Sequence, residues 1–156
     1  NGIIVNAGTN DSVVLEGLDI EGLGTGLNGV HIIGSGSLVI RRSSIHRFTG
    51  NGVNLVGAAN AKVLLQDCVI SRNGGGVNVQ GAGGAANTAV IDRTTIETHT
   101  NFAVQIAGPG AVFLSASNLI GSGPKLAISG GGTVTSYGNN VIRGAGAAPT
   151  TTLPQQ

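Results

Sequence analysis

The chain has 156 residues, a formal net charge of +1, 28 glycines, one cysteine, and three phenylalanines and one tyrosine as its only aromatic residues. The low net charge argues against nucleic-acid binding, because phosphate recognition needs many clustered cations. Even the densest basic group contains only Arg41, Arg42 and Arg47. No apolar run approaches the roughly 20 residues that span a bilayer, and a single cysteine excludes an intramolecular disulfide.

Short aliphatic strands recur along the chain and predict a solenoid. They begin at Ile3, Val30, Val53, Val77, Val104 and Ile128, at intervals of 27, 23, 24, 27 and 24 residues. In the first five units a second phrase follows, with two aliphatic residues five positions apart: Leu15–Ile20, Ile40–Ile45, Leu65–Ile70, Ile91–Ile96 and Leu114–Leu119. Since no helical periodicity accompanies these strands, we predict an all-β parallel β-helix over 1–146, about six coils of three short strands, and a C-terminal tail over 147–156.

The pattern aliphatic–x–aliphatic–x–x–x–x–Ile and the turn phrase SYGNNVI at 136–142 resemble right-handed parallel β-helix repeat proteins of the pectate-lyase-like superfamily. The resemblance covers Gly2 to about Gly144 and implies a right-handed coil. That superfamily includes lyases, hydrolases, epimerases, phage tailspikes, adhesins and structural proteins. It therefore implies an architecture and leaves the activity open.

The outward residues of the first strands predict a polar column along the rod. Strand side chains alternate, so this column consists of Ile4, His31, Asn54, Asn78, Gln105 and Ser129, with Arg47, Phe48, Arg72, Asn73, His99 and Asn101 in nearby turns. In polysaccharide-acting relatives the substrate lies along this face. A lyase would need carboxylates that hold calcium and an arginine base, and a hydrolase would need clustered aspartates. This face has no aspartate, so we predict no catalytic residues.

The amides of this column offer donors and acceptors that suit sugar hydroxyls. We therefore select candidate glycan-binding residues and a polysaccharide as the possible partner: His31, Asn54, Asn78, Gln105 and Arg72. In the alternative interpretation the stacked amides bond one another along the rod. Phe48 and Phe102 are the only aromatic residues near this face, which weakens the glycan interpretation because sugar rings usually stack on aromatic side chains.

Neither a metal nor a cofactor is predicted. His31, His46 and His99 show no close ligand spacing. Cys68 aligns with Ser43, Thr94 and Ser117, which favours a small core residue at a corner. Arg42, Asp67 and Arg93 occupy one corner position in successive coils and predict a ladder of surface ion pairs.

The outward residues of the second strands predict an apolar stripe, which comprises Val14, Val39, Leu64, Val90 and Phe113. A contiguous exposed stripe usually contacts something. We expect that either the tail (147–156) folds back over it or another chain packs there. The open coil ends offer a second route to self-association.

Together these features predict a non-catalytic extracellular β-helix module, secreted or on the cell surface, with a structural or adhesive role and possible weak glycan binding. Two alternatives stay open. The chain could be a fragment of a polysaccharide lyase or hydrolase whose catalytic residues lie elsewhere, or an excised or engineered solenoid scaffold.

Overall fold

The structure is a computed structural model that describes residues 1–34, 36–57, 60–81, 84 and 86–154. These residues form nineteen strands arranged in three parallel sheets. The described residues contain no helix long and apolar enough to cross a membrane. The predicted all-β fold, a right-handed parallel β-helix, is confirmed.

Each coil contributes one strand to each sheet. Sheet 1 contains β1 (Ile3–Asn6), β4 (Val30–Gly34), β7 (Asn51–Leu55), β10 (Gly75–Gln80), β13 (Phe102–Ala107) and β16 (Leu126–Ser129). Sheet 2 contains β2 (Ser12–Glu16), β5 (Ser37–Arg41), β8 (Lys62–Gln66), β11 (Thr88–Asp92), β14 (Ala111–Ser115), β17 (Thr133–Tyr137) and β19 (Thr151–Leu153). Sheet 3 contains β3 (Asp19–Glu21), β6 (Ser44–His46), β9 (Val69–Ser71), β12 (Thr95–Glu97), β15 (Asn118–Ile120) and β18 (Val141–Ile142).

The register follows the sequence repeat through the first five coils. Ile3, Val30, Val53, Val77 and Val104 pair in succession. In the sixth coil Val104 pairs with Leu126, not with the predicted Ile128. The strand begins two residues earlier than predicted, because the apolar pair that points inward is Leu126 and Ile128 and not a pair starting at Ile128. From β1 to β16 the chain makes about five turns.

The core is a stack of aliphatic side chains from all three sheets. Ile40, Leu65, Ile91 and Leu114 pair in sheet 2, while Ile45, Ile70, Ile96 and Leu119 pair in sheet 3, and all eight are fully buried. Burial of one such side chain stabilises the fold by roughly 1.5–3 kcal/mol. Successive coils therefore share one continuous core.

Each coil has three corners. The first leads from sheet 1 to sheet 2, the second from sheet 2 to sheet 3, and the third from sheet 3 to the next strand of sheet 1. At the second corner, between sheets 2 and 3, one residue in each of the first five coils has a positive φ: Gly17, Arg42, Asp67, Arg93 and Ala116. The third corner, between sheet 3 and the next strand of sheet 1, is longer. It also has left-handed residues, among them Arg47, Arg72 and Thr98.

The C-terminal tail extends the solenoid. Thr151–Leu153 forms β19, which pairs in parallel with β17, and Ala147 N donates to Leu126 O of β16 at 2.9 Å. The Thr150 hydroxyl also bonds the backbone of Val134. The predicted fold-back over the apolar stripe is therefore wrong for the described tail, because the unpaired edges of β16 and β17 supply backbone partners. Gln155 and Gln156, the last residues of the predicted tail, lie outside the described residues.

Candidate functional site

The polar column on sheet 1 stands where the sequence predicts it. His31, Asn54, Asn78 and Gln105 are consecutive partners in the register. Below His31 the column continues with Ile4, and above Gln105 with Ala127. The predicted last member, Ser129, pairs instead with Ala107, which follows from the two-residue shift of the sixth coil.

Side chains of this column bond one another along the rod. Asn78 Nδ2 donates to Asn54 Oδ1 at 2.8 Å, and Asn51 Nδ2 donates to the same oxygen at 3.1 Å. Asn54 Nδ2 lies 2.9 Å from His31 Nδ1, so a neutral His31 ring accepts there and carries its proton on Nε2. Asn54 and Asn78 are each only 9% exposed, and the Asn54 amide, which takes part in all three contacts, is the centre of this ladder.

Gln105 and Arg72 differ from the ladder members. Gln105 is half-buried, and no side-chain hydrogen bond of its amide is found in the described part of the chain. Arg72 is exposed in the turn between β9 and β10 with φ 54°. It lines a surface depression of about 430 Å³ together with Phe48, Thr49, Asn73, Gly74, Thr98 and Thr100. No other predicted glycan-binding residue lines this depression. The structure therefore places four of the five on the outward column of sheet 1 and Arg72 in the turn between β9 and β10.

Most carboxylates on the rod are bonded to a neighbouring coil. Glu16 pairs with Arg41 at 2.7 Å and also with Arg42. Asp19 bonds His46 and Glu21 bonds Arg47 of the next coil. Asp92 bonds Arg93 of its own coil and accepts from Gln66 of the preceding coil at 3.3 Å. Within the described residues, no three histidine, cysteine or acidic side chains are grouped so that they could hold a metal ion.

The predicted ion-pair ladder at the second corner is present in part. Arg93 bonds Asp67 at 2.8 Å, and this hydrogen bond holds the pKa of the Asp67 carboxyl below its usual value. Arg42, by contrast, bonds Glu16 of the preceding coil. Both pairs are largely exposed and connect adjacent coils, as expected for contacts that help to fix register.

Cys68 lies in a column of small polar residues inside the second corner, as predicted. It is 2% exposed. Its amide donates to Thr94 Oγ1 at 3.3 Å, and the Thr94 amide donates to Ser117 Oγ at 3.1 Å. Burial raises the pKa of the Cys68 thiol, which disfavours the reactive thiolate.

Three turn residues that the sequence places near the polar face point into the protein. Phe48, Asn73 and His99 are each at most 4% exposed. Asn73 Oδ1 accepts from Phe48 N at 2.9 Å, and Asn73 Nδ2 donates to Ile45 O at 3.1 Å. Each of the three follows a core isoleucine by three residues. This constant offset is a sequence signal for a shared inward position. The signal is weak, because an aromatic, an amide and an imidazole side chain occupy the position in successive coils.

His99 has two carbonyl neighbours in this buried position. Its Nδ1 lies 3.2 Å from Asn73 O, and its Nε2 lies 3.1 Å from Ile70 O. Burial lowers the pKa of His99, although the two carbonyls partly oppose this effect. A neutral ring donates from one nitrogen only, so only one of these carbonyls receives a ring proton.

The sequence did not indicate two further buried polar side chains, Asn87 and Lys125, which hydrogen-bond backbone groups of turns. Asn87 is fully buried; it accepts from Ala61 N at 3.0 Å and donates to Gly57 O and Gln80 O, each at 2.8 Å. Lys125 is 2% exposed, and its ammonium donates to carbonyls of Gly121 and Gly123. Both side chains satisfy backbone groups that would otherwise be buried without partners.

The apolar stripe on sheet 2 faces outward. Val14, Val39, Leu64, Val90 and Phe113 are consecutive partners in the register. Val14 is 54% exposed and Val90 is 36% exposed, while the other three are half-buried. Described residues of the tail leave this stripe uncovered, because β19 adds to the edge of the sheet and not to its face.

Comparison with known proteins identifies the architecture. No match was found among curated proteins, and none among solved structures. A family model described as "Right handed beta helix region" matches residues 1–143. This match covers nearly all of the three-sheet solenoid, and the chain therefore belongs to the right-handed β-helix family.

Proposed function

We propose that this chain is a non-catalytic, extracellular β-helix module, secreted or on the cell surface, that acts as a structural or adhesive rod. One observation carries the proposal: its polar side chains are bonded mainly to neighbouring coils. Asn78 and Asn54 are joined in a ladder, and Glu16, Glu21 and Asp67 are each bonded to an arginine.

Hydrolysis of glycosidic bonds commonly needs two carboxyl groups that flank the scissile bond, one of them kept protonated. Five of the seven acidic side chains instead bond arginine or histidine on the outside of sheets 2 and 3 and of the corners. The outward column of sheet 1, as far as the structure describes it, consists of amides, His31, Ile4 and Ala127 and has no carboxylate. This distribution favours a mechanical role over the alternative of a polysaccharide lyase or hydrolase fragment.

Polysaccharide depolymerisation tests this proposal directly. The intact chain is incubated with neutral and acidic polysaccharides, with and without calcium, and reducing ends and unsaturated products are measured. We expect no product above a heat-treated control. Product formation that depends on the folded chain would overturn the non-catalytic role.

Weak glycan binding is a second candidate, and the upper end of the ladder favours it. Gln105 follows Asn78 in the column, and Phe102 lies half-buried at the start of the same strand. A Cβ atom added to Gly75 would lie 2.5 Å from Phe102 Cζ, so the ring lies across the neighbouring coil. An aromatic ring beside an amide can contact both the apolar face and the hydroxyls of a sugar.

Titration with oligosaccharides, followed by amide NMR, tests this binding. We expect chemical-shift changes at the side-chain amides of Gln105 and Asn78, and their loss in Gln105→Ala. Asn118→Ala is the matched control, because Asn118 is a half-buried residue on sheet 3. Equal shifts in both variants, or none in the unmodified chain, would reject the site.

A further inference from the structure

We propose that the outer face of sheet 2 is the interface of a two-fold symmetric dimer of this chain, in which two rods pack face to face and antiparallel. The proposal concerns a different face from the glycan site and does not depend on it. Its occupant is a second copy of the same chain.

The face has three outward columns with a simple distribution of polarity. Its central column consists of the apolar stripe and, beyond Phe113, of Thr135 and Thr151. One flank is small or polar and consists of Ser12, Ser37, Lys62, Thr88, Ala111 and Thr133. The other flank is mostly polar and consists of Glu16, Arg41, Gln66, Asp92, Ser115, Tyr137 and Leu153. An apolar centre with a polar rim is the usual anatomy of an interface.

The face is also regular. Adjacent strands from β2 to β17 pair without a shift of register, whereas the first pair of sheet 1 contains an irregularity between Val5 and Asn6. A regular face allows side chains of two sheets to interdigitate along its whole length.

A two-fold axis parallel to the strands places coil 1 opposite coil 6, coil 2 opposite coil 5 and coil 3 opposite coil 4. Val39 then lies opposite Phe113 of the second copy, and Leu64 lies opposite Val90. Small side chains therefore meet larger ones along the stripe, as close packing requires. On the charged flank Gln66 lies opposite Asp92, so no like charges face each other.

Side-chain volume along the stripe favours this antiparallel arrangement. An axis along the rod would instead place Phe113 against Phe113 and Val39 against Val39. Large side chains would then meet each other while small ones left gaps, which close packing disfavours.

The available area fits a dimer that depends on concentration. Six strands at about 4.8 Å spacing and five residues at about 3.3 Å rise give a face of roughly 29 by 17 Å. Two such faces bury about 1,000 Å², which is near the lower limit for a specific interface. We therefore expect monomers in dilute solution and dimers at high concentration.

Sedimentation velocity on the full chain, from low to high micromolar concentration, tests the interface. We expect the weight-average sedimentation coefficient to rise toward the dimer value. Leu64→Lys should weaken the dimer at least about tenfold, because it places an ammonium group in the apolar centre. Val69→Lys is the matched control, since Val69 is 43% exposed on sheet 3. A monomer at every concentration, or equal effects of both variants, would overturn the proposal.

Disulfide trapping tests the antiparallel arrangement by a route that does not depend on the stability of Leu64→Lys. In a Cys68→Ser background, Val39→Cys and Phe113→Cys chains are oxidised separately and as a mixture. We expect a covalent dimer only in the mixture. A covalent dimer of Val39→Cys alone would show parallel rods, and no covalent dimer in any sample would reject this face as the interface.

Discussion

The second and third corners of the solenoid each bury one side chain in several successive coils, but they differ in how much that side chain varies between coils. At the second corner of coils 2 to 5, a left-handed residue is followed by a small polar residue, which is Ser43, Cys68, Thr94 or Ser117. At the third corner the buried position is filled by Phe48, Asn73 and His99 in successive coils. The tight second corner accommodates only a small side chain, whereas the longer third corner accommodates a different side chain in each of these coils.

The largest expected effect comes from the third corner. Asn73→Ala leaves the Phe48 amide and the Ile45 carbonyl without the partners that they have now. We expect a loss of about 3 kcal/mol in the free energy of unfolding, measured by denaturant titration. Asn118→Ala, on the surface of sheet 3, should change it by less than about 0.5 kcal/mol. Similar losses in both variants would mean that the third corner does not depend on this side chain.

A pH dependence should distinguish His99 from the other third-corner residues. Burial lowers the pKa of His99 in the folded chain, so the unfolded chain binds the proton first as pH falls. The contribution of the neutral ring to stability is therefore present above the unfolded pKa of about 6.5 and is lost as pH falls below it, by at most about 1.4 kcal/mol per pH unit.

His99→Asn is the matched variant, because asparagine occupies the equivalent position at Asn73. Comparison of unfolding free energies of the two proteins between pH 8 and pH 5 should show a smaller slope in the variant. If the slopes are equal, His99 titrates alike in the folded and unfolded chains, and the third corner is not sensitive to pH through this residue.

A smaller effect should come from the backbone of the second corner. Ala116 is exposed with φ 46°, a conformation that is unfavourable for any residue with a Cβ atom. Ala116→Gly should therefore stabilise the fold by up to about 1 kcal/mol. Ala111→Gly in β14 is the control and should have the opposite sign. Destabilisation by both glycines would contradict the assigned backbone strain.

The smallest effect should come from Cys68. Cys68→Ser gives the second corner the hydroxyl that Ser43 and Ser117 carry, and a hydroxyl is a better hydrogen-bonding group than a thiol. We expect a gain of about 0.5 kcal/mol, measured by thermal and denaturant unfolding. A loss of more than about 1 kcal/mol would show that the volume of the sulfur atom fills this corner.

Much of the fold could be predicted from the sequence because the second and third strands repeat with a constant offset. Leu15 and Ile20, for example, are aligned with Ile40 and Ile45 in neighbouring strands. The sixth coil repeats this pattern less clearly. Ser136 takes the place of Leu114 in its core, and its first strand begins at Leu126, two residues before the predicted Ile128.

The candidate faces could be predicted less completely. Alternation along a strand correctly assigned Asn54, Asn78 and Val90 to the outside, because side-chain direction is a local property. It could not show that Asn78 bonds Asn54, since that bond joins residues of different coils. The tail was misplaced for the same reason: its partner, the edge of β17, exists only after the coils have stacked.

By itself the sequence determined the repeat, the three short strands of each coil and the direction in which most strand residues point, because these depend on spacing and alternation within the chain. Only the tertiary structure decided which polar groups meet. The burial of Asn73 and His99, the pairing of Arg93 with Asp67 and the position of β19 all depend on contacts between coils. Such contacts depend on the register of distant residues, which local spacing does not specify.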